Sequence, residues 1–269
     1  MKKLIAILLA LVMILTMAAC SPSDKGDNGS NAANNGDQAL KTIESGKLIM
    51  STNAAFPPYE MTTDDGGFEG IDVEIATAIA KKLGLELEIL DMDFDAALLA
   101  VNEGKSDIVM AGVTVNEDRQ VIMDFTNSYA TGEQVVIVKE GSDVTMDNLG
   151  EKMIGAQRGT TGYIYASDTP ENGGYGEDHV TAYDNGATAV QALLNGQVDC
   201  VIIDNAPAKE FVKANTGLTI LEGTWVTENY AIGCDKGNTA LVEAINTALG
   251  ELIDDGTVQK IVDKYITAE

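Results

Sequence analysis

The spacing of apolar side chains changes period along the chain, and each change marks an element. Lys47–Thr52 (KLIMST) is a short apolar run that reads as a strand. Over Gly70–Leu83 the period becomes helical, with Ile71, Ile75, Ile79 and Leu83 on one face and Ala76 and Ala80 beside them. Gly84 ends that helix, and Leu85, Leu87 and Ile89 then alternate with Glu86 and Glu88 in a strand over Leu85–Leu90. Asp95–Asn102 predicts a short helix that stops before Gly104, and Ser106–Ala111 a buried strand. Strand, helix and strand in repeated order imply parallel pairing with helices on both faces.

The rhythm restarts after Thr131. Strands are expected over Val135–Val138, Lys152–Gln157, Val180–Tyr183, Val198–Ile203 and Tyr230–Cys234. Helices are expected over Thr160–Ala166 and Ala187–Leu194, and from the N-cap Asn205, with Pro207 in its first turn, to about Ala214. Two more, Thr239–Ile253 and Thr257–Tyr265, are separated by Gly256. The acidic, glycine-rich stretch 171–178 (ENGGYGED) reads as a surface loop. The chain is thus α/β in two halves, each of domain size, and such chains often bind a ligand between the halves.

The N-terminus follows different rules. Lys2 and Lys3 precede an apolar run from Leu4 to Met17, broken only by Thr16 and followed by Ala18, Ala19 and Cys20. Residues 1–19 therefore read as a secretory signal peptide, the run being short for a membrane span. Small residues directly before a cysteine resemble the lipobox of bacterial lipoproteins and imply lipidation at Cys20, although Met17 stands where leucine is usual. An uncleaved anchor, or a plain signal with an incidental cysteine, is the alternative. Residues 21–38 contain no large apolar side chain, so 20–39 is expected to be a flexible tether behind the lipidated cysteine. The working part is then expected at the outer face of the cytoplasmic membrane, held stably if two or more acyl chains are attached.

Composition narrows the function. The 42 acidic against 17 basic side chains give a net charge of −25, which repels phosphate backbones and argues against a nucleic-acid partner. The 45% hydrophobic content excludes a disordered chain. Three cysteines make no disulfide framework, and Cys200 and Cys234, in apolar strands, are expected as unpaired buried thiols. The single histidine, His179, lies beside the acidic loop, far in pattern from any nucleophile. No catalytic residue, cofactor or metal is expected.

Binding chemistry is concentrated at the ends of the expected strands. Arg119 closes the run 111–119 (AGVTVNEDR) directly after the strand Ser106–Ala111, and ligands of open α/β sheets bind beyond such strand ends. A guanidinium there can take both oxygens of a carboxylate, while Gly112 admits a close backbone approach and Thr114 offers a hydroxyl and an N–H. The same arginine could instead be solvated and paired with Glu117 or Asp118. Gly159-Thr160-Thr161-Gly162, between strand and helix, offers N–H groups and hydroxyls to an anion, or is an ordinary capped turn. Asp204 ends the apolar run Val201-Ile202-Ile203, where a ligand ammonium could partner it, unless it caps the next helix. Phe56 and Phe94 follow strands and could sandwich a ligand side chain or belong to the core.

Taken in order, Phe56-Pro57-Pro58-Tyr59, Gly70-Ile71-Asp72-Val73, Gly104-Lys105-Ser106-Asp107, Ala111-Gly112-Val113-Thr114 through Arg119, Asp124-Phe125-Thr126, Gly159-Thr160-Thr161, Gly196-Gln197-Val198-Asp199 and Asp204 resemble the polar amino-acid family of ABC-importer substrate-binding proteins, over residues 40–269. The resemblance implies the type II, two-lobed periplasmic-binding-protein-like fold, each lobe a mostly parallel sheet flanked by helices. It places the first lobe at 40–131 plus 227–269 and the second at 132–226, joined by a two-strand hinge. Arg119, the Thr114 N–H and the Thr160–Thr161 loop would hold the ligand's α-carboxylate. Asp204, the Gly112 carbonyl and the Thr114 hydroxyl would hold its α-ammonium. Phe56 and Phe94 would flank the side chain, which Asn53, Ala111 and Gln157 would line.

Asn53 stands where binders of basic amino acids in this family often have aspartate, and Ile203 is apolar. A neutral polar amino acid, in the manner of the glutamine-binding branch, is therefore expected, with cystine or another polar amino acid open. The implied partners are an ABC permease and its ATPase, and the implied state is a monomer. A cyclohexadienyl-dehydratase-like enzyme and a ligand-sensing domain are the competing functions on this fold.

Overall fold

The computed structural model describes residues 40–266, so the expected signal peptide, Cys20 and the whole tether lie outside the described residues. The strands are β1 Lys47–Thr52, β2 Ala55–Phe56, β3 Glu60–Thr62, β4 Phe68–Glu69, β5 Glu86–Asp91, β6 Ile108–Val109, β7 Met123–Lys139, β8 Ile154–Gln157, β9 Val180–Tyr183, β10 Cys200–Asp204, β11 Leu218–Ile220 and β12 Val226–Asp235. The helices are α1 Ile71–Leu83, α2 Phe94–Asn102, α3 Glu117–Ile122, α4 Thr161–Ser167, α5 Gly186–Leu194, α6 Asn205–Ala214, α7 Thr239–Asp254 and α8 Thr257–Tyr265. None is long and apolar enough to cross a membrane.

One sheet runs β5-β1-β6-β12-β7-β10-β8-β9, with β11 added alongside β7. β5, β1 and β6 are parallel, as are β10, β8 and β9. β12 runs antiparallel to β6, and β7 antiparallel to β10. Each half therefore repeats one order: second strand, first, third, then a long strand running the other way. The two long strands, β7 and β12, pair with each other from Met123/Asp235 to Gln134/Val226 and carry the chain between the halves.

Apolar spacing explains α1. Ile71, Ile75 and Ile79 are fully buried, each contributing about 1.5–3 kcal/mol of transfer free energy. Gly84 closes the helix in the left-handed conformation, its N–H turned back to the Ala80 and Lys81 carbonyls. At the other end, Gly70 has a φ of +130°, and a Cβ there would lie 2.2 Å from the Tyr59 carbonyl oxygen. That close approach packs the start of α1 against β3 and sets Asp72 beside Glu60.

The structure adds β2, β3, β4, α3 and β11 to the expected elements and departs from the expectations elsewhere too. The run 106–111 is buried, but only Ile108–Val109 form ladder pairs. Beyond them the chain turns at Gly112, whose positive φ points its N–H at Asp72 Oδ2, 3.0 Å away. β7 is far longer than Val135–Val138, because its first half is paired with β12 rather than marked by its own apolar spacing. Asn205 is not the cap of α6: it is the first helical residue, and Asp204 holds the cap position without a side-chain capping bond. The loop 171–178 is exposed apart from the stretch Gly174–Gly176, where Tyr175 stacks on Trp225. Cys200 and Cys234 are buried and free.

Candidate functional site

A cavity of about 330 Å³ lies beyond the carboxyl ends of β1, β6, β8 and β10. Every ligand-contacting position expected from the sequence lies on its wall. Asn53 follows β1, Phe56 belongs to β2, and Phe94 opens α2. Ala111, Gly112 and Thr114 follow β6, Arg119 comes from α3, and Gln157 and Asp204 end β8 and β10. Thr160 caps α4 through its hydroxyl, and Thr161 is that helix's first residue. Glu60, on β3, completes the wall and was not anticipated.

Arg119 is 5% exposed and in no ion pair with Glu117 or Asp118, so the solvated-arginine alternative fails. Asn116 caps α3 by accepting the Arg119 N–H at 2.8 Å, which fixes where the side chain departs. Its Nη1 donates to the Thr114 carbonyl at 2.8 Å and its Nη2 to the Gly159 carbonyl, in the other half, at 3.1 Å. The guanidinium lies over the Phe94 ring, 5.4 Å from the centroid, a cation–π contact. Burial lowers its pKa to about 10, against the opposing pull of Glu228, so it is a cation at neutral pH.

A second group of residues, also unanticipated, ties the halves together behind the cavity. Glu228 on β12 accepts hydrogen bonds from the Thr114 hydroxyl (3.0 Å), the Thr161 hydroxyl (2.9 Å) and Gln134 Nε2 (3.1 Å). Gln134 Nε2 also donates to Asp204 Oδ2 at 2.8 Å, and the Tyr230 hydroxyl donates to Asp204 Oδ1. With their protons spent on Glu228, both threonine hydroxyls face the cavity as acceptors only. For Thr114 this suits an ammonium; for Thr161 it leaves the backbone N–H as the group for a carboxylate. Burial, then the charge of Glu228, pushes the Asp204 pKa well above the ordinary carboxylate range. A cation arriving beside it would reverse that shift.

The Asn53–Gln157 pair spans the two halves: Gln157 Nε2 donates to Asn53 Oδ1 at 2.9 Å, and Asn53 Nδ2 donates to the Met92 carbonyl at 2.9 Å. Phe56 stacks on Tyr59 at 5.8 Å and covers the Gly112 turn. Among the described residues no group of three or more His, Cys, Asp or Glu side chains is placed to hold a metal ion.

The model of bacterial extracellular solute-binding proteins, family 3, matches residues 48–268. The chain belongs to that family. It is 33% identical to the probable histidine-binding protein of Neisseria gonorrhoeae over 277 aligned positions, covering all of this chain and 97% of that one. The arginine-binding extracellular protein ArtP of Bacillus subtilis is 30% identical, with both chains covered in full. Among solved structures, an ancestral arginine-binding protein bound to glutamine superposes with a TM-score of 0.76 and 38% identity, over 83% of this chain and 99% of that one. The fold is periplasmic-binding-protein-like and two-lobed, and the family is one of extracellular solute-binding proteins.

Proposed function

We propose that the protein is a non-catalytic receptor that captures one free amino acid in this cavity and delivers it to an ABC permease and its ATPase. The observation that carries the reading is the placement of a buried guanidinium, Arg119, and a buried carboxylate, Asp204, on one small cavity wall. Arg119 and the Thr161 N–H take the α-carboxylate; Asp204, the Thr114 hydroxyl oxygen and the Gly112 carbonyl take the α-ammonium; Phe56 and Phe94 flank the side chain. Relatives named for binding histidine and arginine, and an ancestral one bound to glutamine, support an amino acid as the ligand class.

Residues 40–131 with 227–269 form one lobe and 132–226 the other, hinged where β7 and β12 cross. Arg119 belongs to the first lobe, Thr161 and Asp204 to the second, so only closure assembles the full set of bonds. A few charge-assisted bonds of about 1.5–3 kcal/mol each suffice to shift such an equilibrium strongly. Closure of the hinge is then what the transporter reads. The receptor works as a monomer, anchored at the outer face of the cytoplasmic membrane through a lipidated Cys20.

A calorimetric screen of the ligand-stripped chain against the common L-amino acids and cystine is expected to give tight 1:1 binding of at least one. Binding of none would overturn the reading, as would turnover of a cyclohexadienyl substrate. For the anchor, Cys20→Ser is expected to move the protein from the membrane fraction to the soluble one.

A further inference from the structure

Glu228 is a buried acid that forms no ion pair among the described residues. A carboxylate in such a place needs donors to offset its burial. One oxygen, Oε2, collects three of them: the Thr114 hydroxyl, the Thr161 hydroxyl and Gln134 Nε2. Glu228 itself does not line the cavity, whereas both threonines do. Whatever it does for a ligand, it does through them.

The local fold fixes this arrangement. Burial alternates along the start of β12, with Glu228 and Tyr230 inward and Asn229 exposed between them. The segment 113–115 runs beside that strand. Val115 N–H donates to the Asn229 carbonyl and Ala231 N–H to the Val113 carbonyl, both at 3.1 Å. Thr114 is thereby held opposite Tyr230, with its hydroxyl 3.0 Å from Glu228 Oε2. The Thr161 and Gln134 bonds keep the carboxylate from turning away.

A carboxylate only accepts, and a threonine hydroxyl has a single proton. The Thr114 proton is therefore held on Glu228, and the hydroxyl offers the cavity nothing but lone pairs. In the amino-acid reading, the group on the ligand's α-carbon then meets three acceptors: Asp204, the Gly112 carbonyl and the Thr114 hydroxyl oxygen. An α-ammonium supplies three protons and a charge. An α-hydroxyl supplies one proton and leaves two acceptors facing its lone pairs, a cost that a buried site does not recover.

We propose that Glu228 is a positioning residue that makes the site selective for an α-ammonium over an α-hydroxyl, by holding the Thr114 hydroxyl in its acceptor orientation. The protein then takes amino acids and refuses the 2-hydroxy acids of the same side chain. This inference deepens the amino-acid reading and rests on it.

The test is calorimetry on the ligand-stripped intact chain, with the common L-amino acids and then with the 2-hydroxy acid of the tightest binder (L-argininic acid for L-arginine, 2-hydroxyglutaramic acid for L-glutamine). The unmodified chain is expected to prefer the amino acid by about a thousandfold or more. Glu228→Leu frees the Thr114 proton and is expected to lower that preference about tenfold or more. Glu228→Gln, whose amide oxygen can take the same three donors, is expected to keep most of it. Thr114→Val is expected to weaken the amino acid about tenfold and to leave the hydroxy acid unchanged. In that background Glu228→Leu then shifts the preference no further. If Glu228→Leu does not fold, the Thr114→Val comparison decides alone.

A preference unchanged by Glu228→Leu overturns the proposal. So does an equal drop in the Leu and Gln variants, which would trace the effect to charge, or a Thr114→Val loss shared by both ligands. In each of these cases the amino-acid receptor stands. If no amino acid binds, that reading falls and the role of Glu228 falls with it.

Discussion

The two ends of the cavity are built on opposite principles. At the Arg119 end the protein satisfies its own chemistry: the guanidinium has two carbonyls, an aromatic face beneath it and the Glu228 charge nearby. At the Glu60 end it does not, since two buried carboxyls face each other with three oxygens lacking donors. The first end has its polar groups paired within the protein. The second keeps three buried carboxylate oxygens without a donor from the protein. A buried polar atom left unpaired carries a cost that a well-matched ligand group can relieve.

The strongest way to break this contrast is to remove the organised end. Arg119→Ala deletes both charge-assisted bonds to the carboxylate, at about 1.5–3 kcal/mol each. Amino-acid affinity is expected to fall about a thousandfold or more by calorimetry, with a native circular-dichroism spectrum. Asp204→Asn keeps the shape and removes the charge. We expect about a hundredfold loss in the same assay, smaller because the Thr114 hydroxyl and the Gly112 carbonyl still accept.

A third test separates the ends by pH. Burial holds the Asp72 carboxyl up at about 6 and pushes Glu60 well above its usual range. From the ordinary carboxylate range upward, the native state therefore holds more protons than the unfolded chain. Stability from these groups is complete at low pH and is lost as pH rises through the folded pKa values. Arg119 stays ionised across this range and adds no slope. The thermal midpoint of the ligand-free chain is expected to fall between pH 5 and 8, and Glu60→Gln to flatten that fall. An unchanged slope in the variant would contradict Glu60 as a source of that fall. The smallest effect is expected from Thr160→Ala, which removes the α4 cap. Loss of a cap costs about 1 kcal/mol, or roughly 2–4 °C in midpoint for a chain of this size, with a lesser effect on affinity than either charge substitution.

What the sequence made legible followed from locality. α1, α5, α7 and α8 appear close to where the apolar period put them, and the strand-end loops brought Gly112, Thr114, Arg119 and Asp204 to one cavity. What stayed hidden depended on distant pairing. The first half of β7 has no apolar run of its own and becomes a strand because β12 lies against it. Asp204 stands at the cap position of α6 but spends its carboxylate on Gln134 and Tyr230, neither of them near in sequence. Glu60 and Glu228 are two acids among 42, and nothing local distinguishes them from the solvated surface. For Glu60 a faint signal existed: an acid directly after Pro57-Pro58-Tyr59, in a segment already expected to border the ligand.

The most direct test of the central claim is a crystal structure of the intact chain with its tightest-binding amino acid. The α-carboxylate is expected on the Arg119 guanidinium and the Thr161 N–H, and the α-ammonium on Asp204, with the side chain running between Phe56 and Phe94 toward Glu60. A ligand seated elsewhere, or one in this cavity touching neither Arg119 nor Asp204, would contradict it.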